Sequence, residues 1–161
     1  MFNRLKKRRL VLIALIGGVS LFAACSYLTE FVVVNQSDDH IVVRYKIKNY
    51  PGPLNLPAVP STIESSRLSK KHAQEWQELT SDEYQLDEHN RTVVVDVRPH
   101  QALLIASMHH YMGHDDVGDA QDYPIEEVTV TGTQGELKLA GPQARVMFSE
   151  ISRVLYTLSY K

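Results

Sequence analysis

The sequence predicts a mainly β fold: an antiparallel two-sheet sandwich, immunoglobulin-like in architecture, with one or two short helices. Three observations lead there. Apolar and polar residues alternate with a period of two in several short runs, turn residues separate those runs, and a strand with one apolar face needs a second layer to bury it. Successive hairpins imply antiparallel pairing. The chain has one cysteine, so the paired cysteines around a core tryptophan that mark true immunoglobulin domains are absent.

Phe31 to Asn35 (FVVVN) and His40 to Lys48 (HIVVRYKIK) flank the turn-rich Asn35-Gln36-Ser37-Asp38-Asp39 and are expected to pair as a hairpin. In the second run Ile41, Val43, Tyr45 and Ile47 fall on one side, with Arg44, Lys46 and Lys48 on the other. In the first, either Phe31 and Val33 or Val32 and Val34 face inward. Residues 49–60 carry four prolines, which fix φ and remove backbone donors, so that stretch is a connector or a sheet edge. Ser66 to Leu79 lacks any β-branched residue and sets His72, Trp76 and Leu79 at helical spacing, which predicts a helix.

Val93, Val95 and Val97 share one face of the next strand, and Pro99-His100 turns the chain into ALLIASM as a second hairpin. EVTVT and ELKLA flank Gly132-Thr133-Gln134-Gly135 as a third, with Val128 and Val130 facing Leu137 and Leu139. Gly141-Pro142 then precedes Ala144, Met147, Phe148 and Ile151 at i, i+3, i+4 and i+7, a short helix with proline at a favourable first position. The last strand sets Val154, Tyr156, Leu158 and Tyr160 against Leu155, Thr157 and Ser159. Short strands, about seven of them, complete the expectation.

Ahead of these lie Arg4, Lys6, Lys7, Arg8 and Arg9, an uncharged run from Leu10 to Ala24, and the small residues Ala23 and Ala24 before Cys25. That is the order of an export signal. At about 1.5 Å per residue the uncharged run reaches about 22 Å as a helix, short of the hydrocarbon layer of about 30 Å. Phe22-Ala23-Ala24-Cys25 resembles the lipobox of bacterial lipoproteins, in which a signal peptidase cuts before the cysteine and its sulfur carries diacylglycerol. The usual pattern has leucine three residues before the cysteine; here Phe22 takes that place and Leu21 sits one further back.

The resemblance covers only the first 26 residues or so and implies a signal peptide over residues 1–24 and a lipidated tether over 25–28; the length and strand pattern of the rest predict a single β-sandwich domain over 29–161. The resemblance also implies a location in the bacterial cell envelope, anchored to the membrane through lipid on Cys25 and facing the periplasm or the exterior. Ser26 suits outer-membrane sorting where the host has a second membrane. Extended through Leu28, the apolar run is long enough for the alternative, an uncleaved membrane anchor.

Cleavage before Cys25 takes five cations and no anion, leaving 12 Lys and Arg against 19 Asp and Glu, so formal charge moves from −2 to −7. Such a surface disfavours nucleic acid, whose binding needs cations on phosphates, and adhesion to anionic lipid. An intramolecular disulfide is excluded.

The stretch with most potential chemistry is HHYMGHDDVGDAQDYP. There His109, His110 and His114 crowd with Asp115, Asp116, Asp119 and Asp122 in one connection between strands. Imidazole and carboxylate together suit zinc or a similar divalent metal. The spacing matches neither a zinc-peptidase helix nor a calcium loop, so a solvated acidic loop is the plainer reading. His100 follows a proline in a turn, and Asp82, Glu83, Asp87 and Glu88 lie in the polar SDEYQLDEHN, where a surface role outweighs acid-base work. No serine is bracketed by glycines as in a nucleophile elbow. Trp76, Tyr84, Tyr111, Tyr123, Tyr156 and Tyr160 suit a core more than a sugar or peptide groove. Asn35-Gln36-Ser37 and Asn90-Arg91-Thr92 match the N-glycosylation pattern, a chance match behind a bacterial signal. The expectation is a non-catalytic binding or assembly module whose partner is an envelope protein or polymer. A metal-binding envelope protein using residues 109–122 is the alternative.

Overall fold

The computed structural model describes residues 26–48, 59–69, 74–111, 124–152 and 154–161. They form a β sandwich of two sheets with one α-helix and a single 3-10 turn. In chain order the strands are β1 (Ser26–Asn35), β2 (Ile41–Ile47), β3 (Ser61–Glu64), β4 (Gln77–Glu78), β5 (Tyr84–Asp87) and β6 (Thr92–Val97). Then follow β7 (Gln101–Tyr111), β8 (Ile125–Gly132), β9 (Gly135–Ala140), β10 (Ser149–Ser152) and β11 (Leu155–Tyr160). The six-stranded sheet runs β10-β11-β1-β7-β3-β4 and the five-stranded sheet β5-β6-β2-β8-β9. Among the described residues no helix is long and apolar enough to cross a membrane.

The period-two pattern of β2 is realised as expected: Ile41, Val43 and Tyr45 are buried and Val42 and Arg44 are exposed. With Val93, Val95 and Val97 of β6 and Val128 and Val130 of β8 they form the five-stranded sheet's half of the core. Phe31, Val33, Leu103, Ile105, Tyr156, Leu158 and Tyr160 supply the other half. The β8–β9 hairpin has the expected register, Val128 opposite Leu139 and Val130 opposite Leu137.

β1 departs from the one-sided expectation, because both of its faces are buried. Phe31 and Val33 enter the main core, while Val32 and Val34 join Ile63, Ala102 and Leu155 in a second cluster on the outer face of the six-stranded sheet. A strand that is apolar on both faces belongs inside a sheet, so β1 sits between β7 and β11, pairing antiparallel with the first and parallel with the second. The expected hairpin with β2 is therefore replaced by an arch over residues 36–40 that carries the chain from one sheet to the other. A second arch at Arg98–His100 likewise replaces the expected β6–β7 hairpin.

Neither expected helix survives in full. In the described part of Ser66–Leu79, Ser65–Arg67 is a 3-10 turn and Gln77–Glu78 is a strand paired with Thr62 and Ser61. Leu68 and Trp76 pack on the outer-face cluster, so tertiary contact overrides helix propensity. The later helix, α1, spans only Pro142–Val146; Ala144 and Phe148 are buried as its period implied, but Ile151 lies on β10, whose pairing with β11 ends the helical run. The boundary drawn after residue 28 falls inside β1, which starts at Ser26.

Candidate functional site

The outer face of the six-stranded sheet holds the most distinctive surface. Alternation along β1 puts Glu30, Val32 and Val34 on it. Glu30 is half-buried and accepts a hydrogen bond from the Trp76 indole nitrogen at 2.8 Å. Burial pushes this carboxyl above the usual glutamate value, and the indole N–H partly offsets the rise. The indole thus covers one end of the outer-face cluster with its polar atom satisfied.

Toward the other end the face opens into a groove of about 480 Å³. Val34, Leu68, Ile151 and Leu155 give it apolar surface, and Gln36, Ser65, Ser66, His100, Thr157 and Ser159 supply donors and acceptors. His100 adopts φ 58°, the left-handed region that a non-glycine residue enters at a cost of about 1–2 kcal/mol. Two contacts hold it there. Its carbonyl accepts from the Ser65 amide at 2.8 Å, and its Nε2 lies 3.2 Å from Asp38 Oδ1. Beside the groove runs β10, the edge strand of the sheet, with Ile151 38 % exposed; Val146 and Met147, just before it, are 79 % and 49 % exposed. An amphipathic groove beside a strand edge that has no partner among the described residues suits an extended chain with alternating side chains better than a compact polar substrate.

The other sequence candidates have varied fates. Cys25 lies outside the described residues, as do His114, Asp115, Asp116, Asp119, Asp122 and Tyr123. His109 and His110 are not in a loop: their backbone belongs to β7, opposite Leu28 and Tyr27. The long apolar start of β7 continues as a strand through these polar residues because β1 pairs with it as far as Tyr111. Among the described residues no group of three or more His, Cys, Asp or Glu is placed to hold a metal ion.

Asp82 and Glu83 are exposed turn residues, and Asp87 is the exposed last residue of β5. Hydrogen bonds hold all three below the ordinary carboxylate range: from the Thr80 hydroxyl to Asp82, from the Thr80 amide to Glu83 and from the Asn90 amide to Asp87. Tyr156 and Tyr160 are buried in the core and Tyr84 packs against it. Asn35 is fully buried, so the first glycosylation pattern has no accessible acceptor.

No family model, curated protein or solved structure matches this chain.

Sequence reasoning missed the groove, the Glu30–Trp76 pair and the role of Asn35. The unbroken apolar run from Phe31 to Val34 was the available signal, since a strand without polar alternation is buried on both sides and something must cover its second face.

Proposed function

We propose that this protein is a lipoprotein of the bacterial cell envelope, tethered through Cys25, that binds another envelope protein or an envelope polymer without catalysing a reaction. The observation that carries the binding part is the outer-face groove, with the exposed Ile151 of edge strand β10 and the exposed Val146 and Met147 just before that strand. Backbone groups along a sheet edge bind an extended chain without regard to its sequence, and pockets along the strand select its side chains. The export-signal order of residues 4–24 and the lipobox-like Phe22-Ala23-Ala24-Cys25 support the address.

The test is photocrosslinking in cells of the native host, from probes at Ser66 in the groove and Ile151 on β10, with a probe at His89 as control. One envelope component joined at both groove positions and absent from the control is the expected result. Identical adduct patterns at all three positions contradict the assignment.

A further inference from the structure

Strand β1 starts at Ser26, one residue after the proposed lipid attachment, and Ser26 is already paired with Tyr111 of β7. A free tether between anchor and domain therefore has almost no length. The ladder also gives the domain a direction. Asn35, at the far end of β1, bonds to the Val97 carbonyl, and Val97 is paired with Ile41, so the far ends of β1, β6 and the start of β2 lie level. From that level β1 runs back nine residues to Ser26, about 30 Å, whereas β2 runs only six residues to Ile47, about 20 Å. β11 begins opposite Glu30 and β3 reaches only Leu104, so residues 26–29 pair with β7 alone. They project as a two-stranded ribbon about 10 Å past the end of β2.

We propose that this ribbon is itself the tether, so that the bilayer meets the Ser26 end of the sandwich and the arches at 36–40 and 98–100, with the part of the groove next to them, stand about 30 Å out. The inference rests on the envelope-lipoprotein reading and adds the orientation in which the partner is met. The groove residues Val34, Gln36, His100 and Ser159 all lie at the outer level, clear of the headgroups and open to a partner anchored elsewhere.

The experiment uses the full-length lipidated protein in vesicles of phosphatidylethanolamine and phosphatidylglycerol that contain a headgroup energy acceptor. A donor dye is attached to a cysteine introduced as His89→Cys, in the exposed turn before β6, or as Gln134→Cys, in the exposed turn between β8 and β9. Energy transfer should be several-fold more efficient from position 89 than from position 134. A flexible Gly/Ser spacer inserted between Cys25 and Ser26 should collapse that contrast. Equal transfer from the two positions, a reversed order, or a contrast untouched by the spacer each overturns the proposal. Protein that fails to float with the vesicles is a different result, and it defeats the lipoprotein reading beneath.

Discussion

The side-chain amide of Asn35, the last residue of β1, donates to the main-chain carbonyl of Val97, the last residue of β6, across 3.1 Å and so fastens one sheet to the other. The same nitrogen reaches Asp39 O at 2.8 Å and Arg98 O at 3.0 Å, and its oxygen accepts from the Ser37 amide and hydroxyl at 3.0 and 2.7 Å. One buried carboxamide thereby satisfies backbone groups in both arches, which lack strand partners of their own.

Asn35→Ala should cost about 1–3 kcal/mol: the buried Val97 carbonyl loses this donor, whereas the Asp39 and Arg98 carbonyls keep bonds from the Ser37 hydroxyl and the Gln101 amide. Urea denaturation of the domain measures this, and a loss under about 1 kcal/mol argues that water fills the role. Asn35→Asp keeps the bonds from Ser37 but turns an oxygen toward three carbonyls, so it should destabilise at least as strongly at neutral pH.

At Gly132 a β-carbon would sit 2.8 Å from Tyr160 Cε1, 2.9 Å from its hydroxyl and 3.0 Å from Ile41 Cγ2. The Tyr160 hydroxyl donates to the Gly135 carbonyl at 3.0 Å, so the ring is pinned and has little room to yield. Gly132→Ala should lower stability by about 1–3 kcal/mol, and much less in a Tyr160→Leu background. Additive losses in the double variant would show that the ring is not what the methyl meets.

Arg145 of α1 lies with its guanidinium carbon 4.2 Å from the centroid of the Tyr156 ring, which in turn stacks on Phe31 at 5.4 Å. This stack ties the helix to the core. Replacing Arg145 by Met keeps most of the stem packing and removes the cation, which should lose about 0.5–1 kcal/mol. Thermal melts at low and high salt check it; a loss that vanishes at high salt points instead to an exposed ion pair.

Glu30 makes stability depend on pH in a defined direction. Its folded carboxyl titrates above the unfolded value of about 4.5, so folding takes up a proton between the two values. This contribution is most favourable below about pH 4.5, declines as pH rises through that interval and is constant above it. Glu30→Gln retains an oxygen for the Trp76 N–H without the charge, so its stability relative to wild type should rise from pH 4 to pH 7. A difference that stays flat over that range means the carboxylate is solvated in the fold.

The alternating strands β2, β6 and β8 and the β8–β9 hairpin were legible because one polar face and one apolar face leave a single way to lie on a core. The turn signal at residues 35–39 was equally clear, yet a turn specifies a reversal and not which sheet receives the next strand. That choice was made by β1, whose second apolar face demanded a central place and a cover. Trp76 illustrates the same limit: helical spacing put it on a helix, whereas its hydrogen bond to Glu30 and its packing on the outer-face cluster depend on strands distant in the chain. The groove arises only once β11 has paired parallel to β1, a pairing between the two ends of the domain that no local pattern records.

The mass of the protein as its native host makes it tests the lipid anchor most directly. Material extracted from the membrane fraction should weigh less than the full chain by residues 1–24 and more by a diacylglycerol unit on Cys25, with any further acyl chain at the new N-terminus. A protein that keeps Met1 and carries a free Cys25 thiol would contradict the anchoring and, with it, the end-on orientation and the envelope partner.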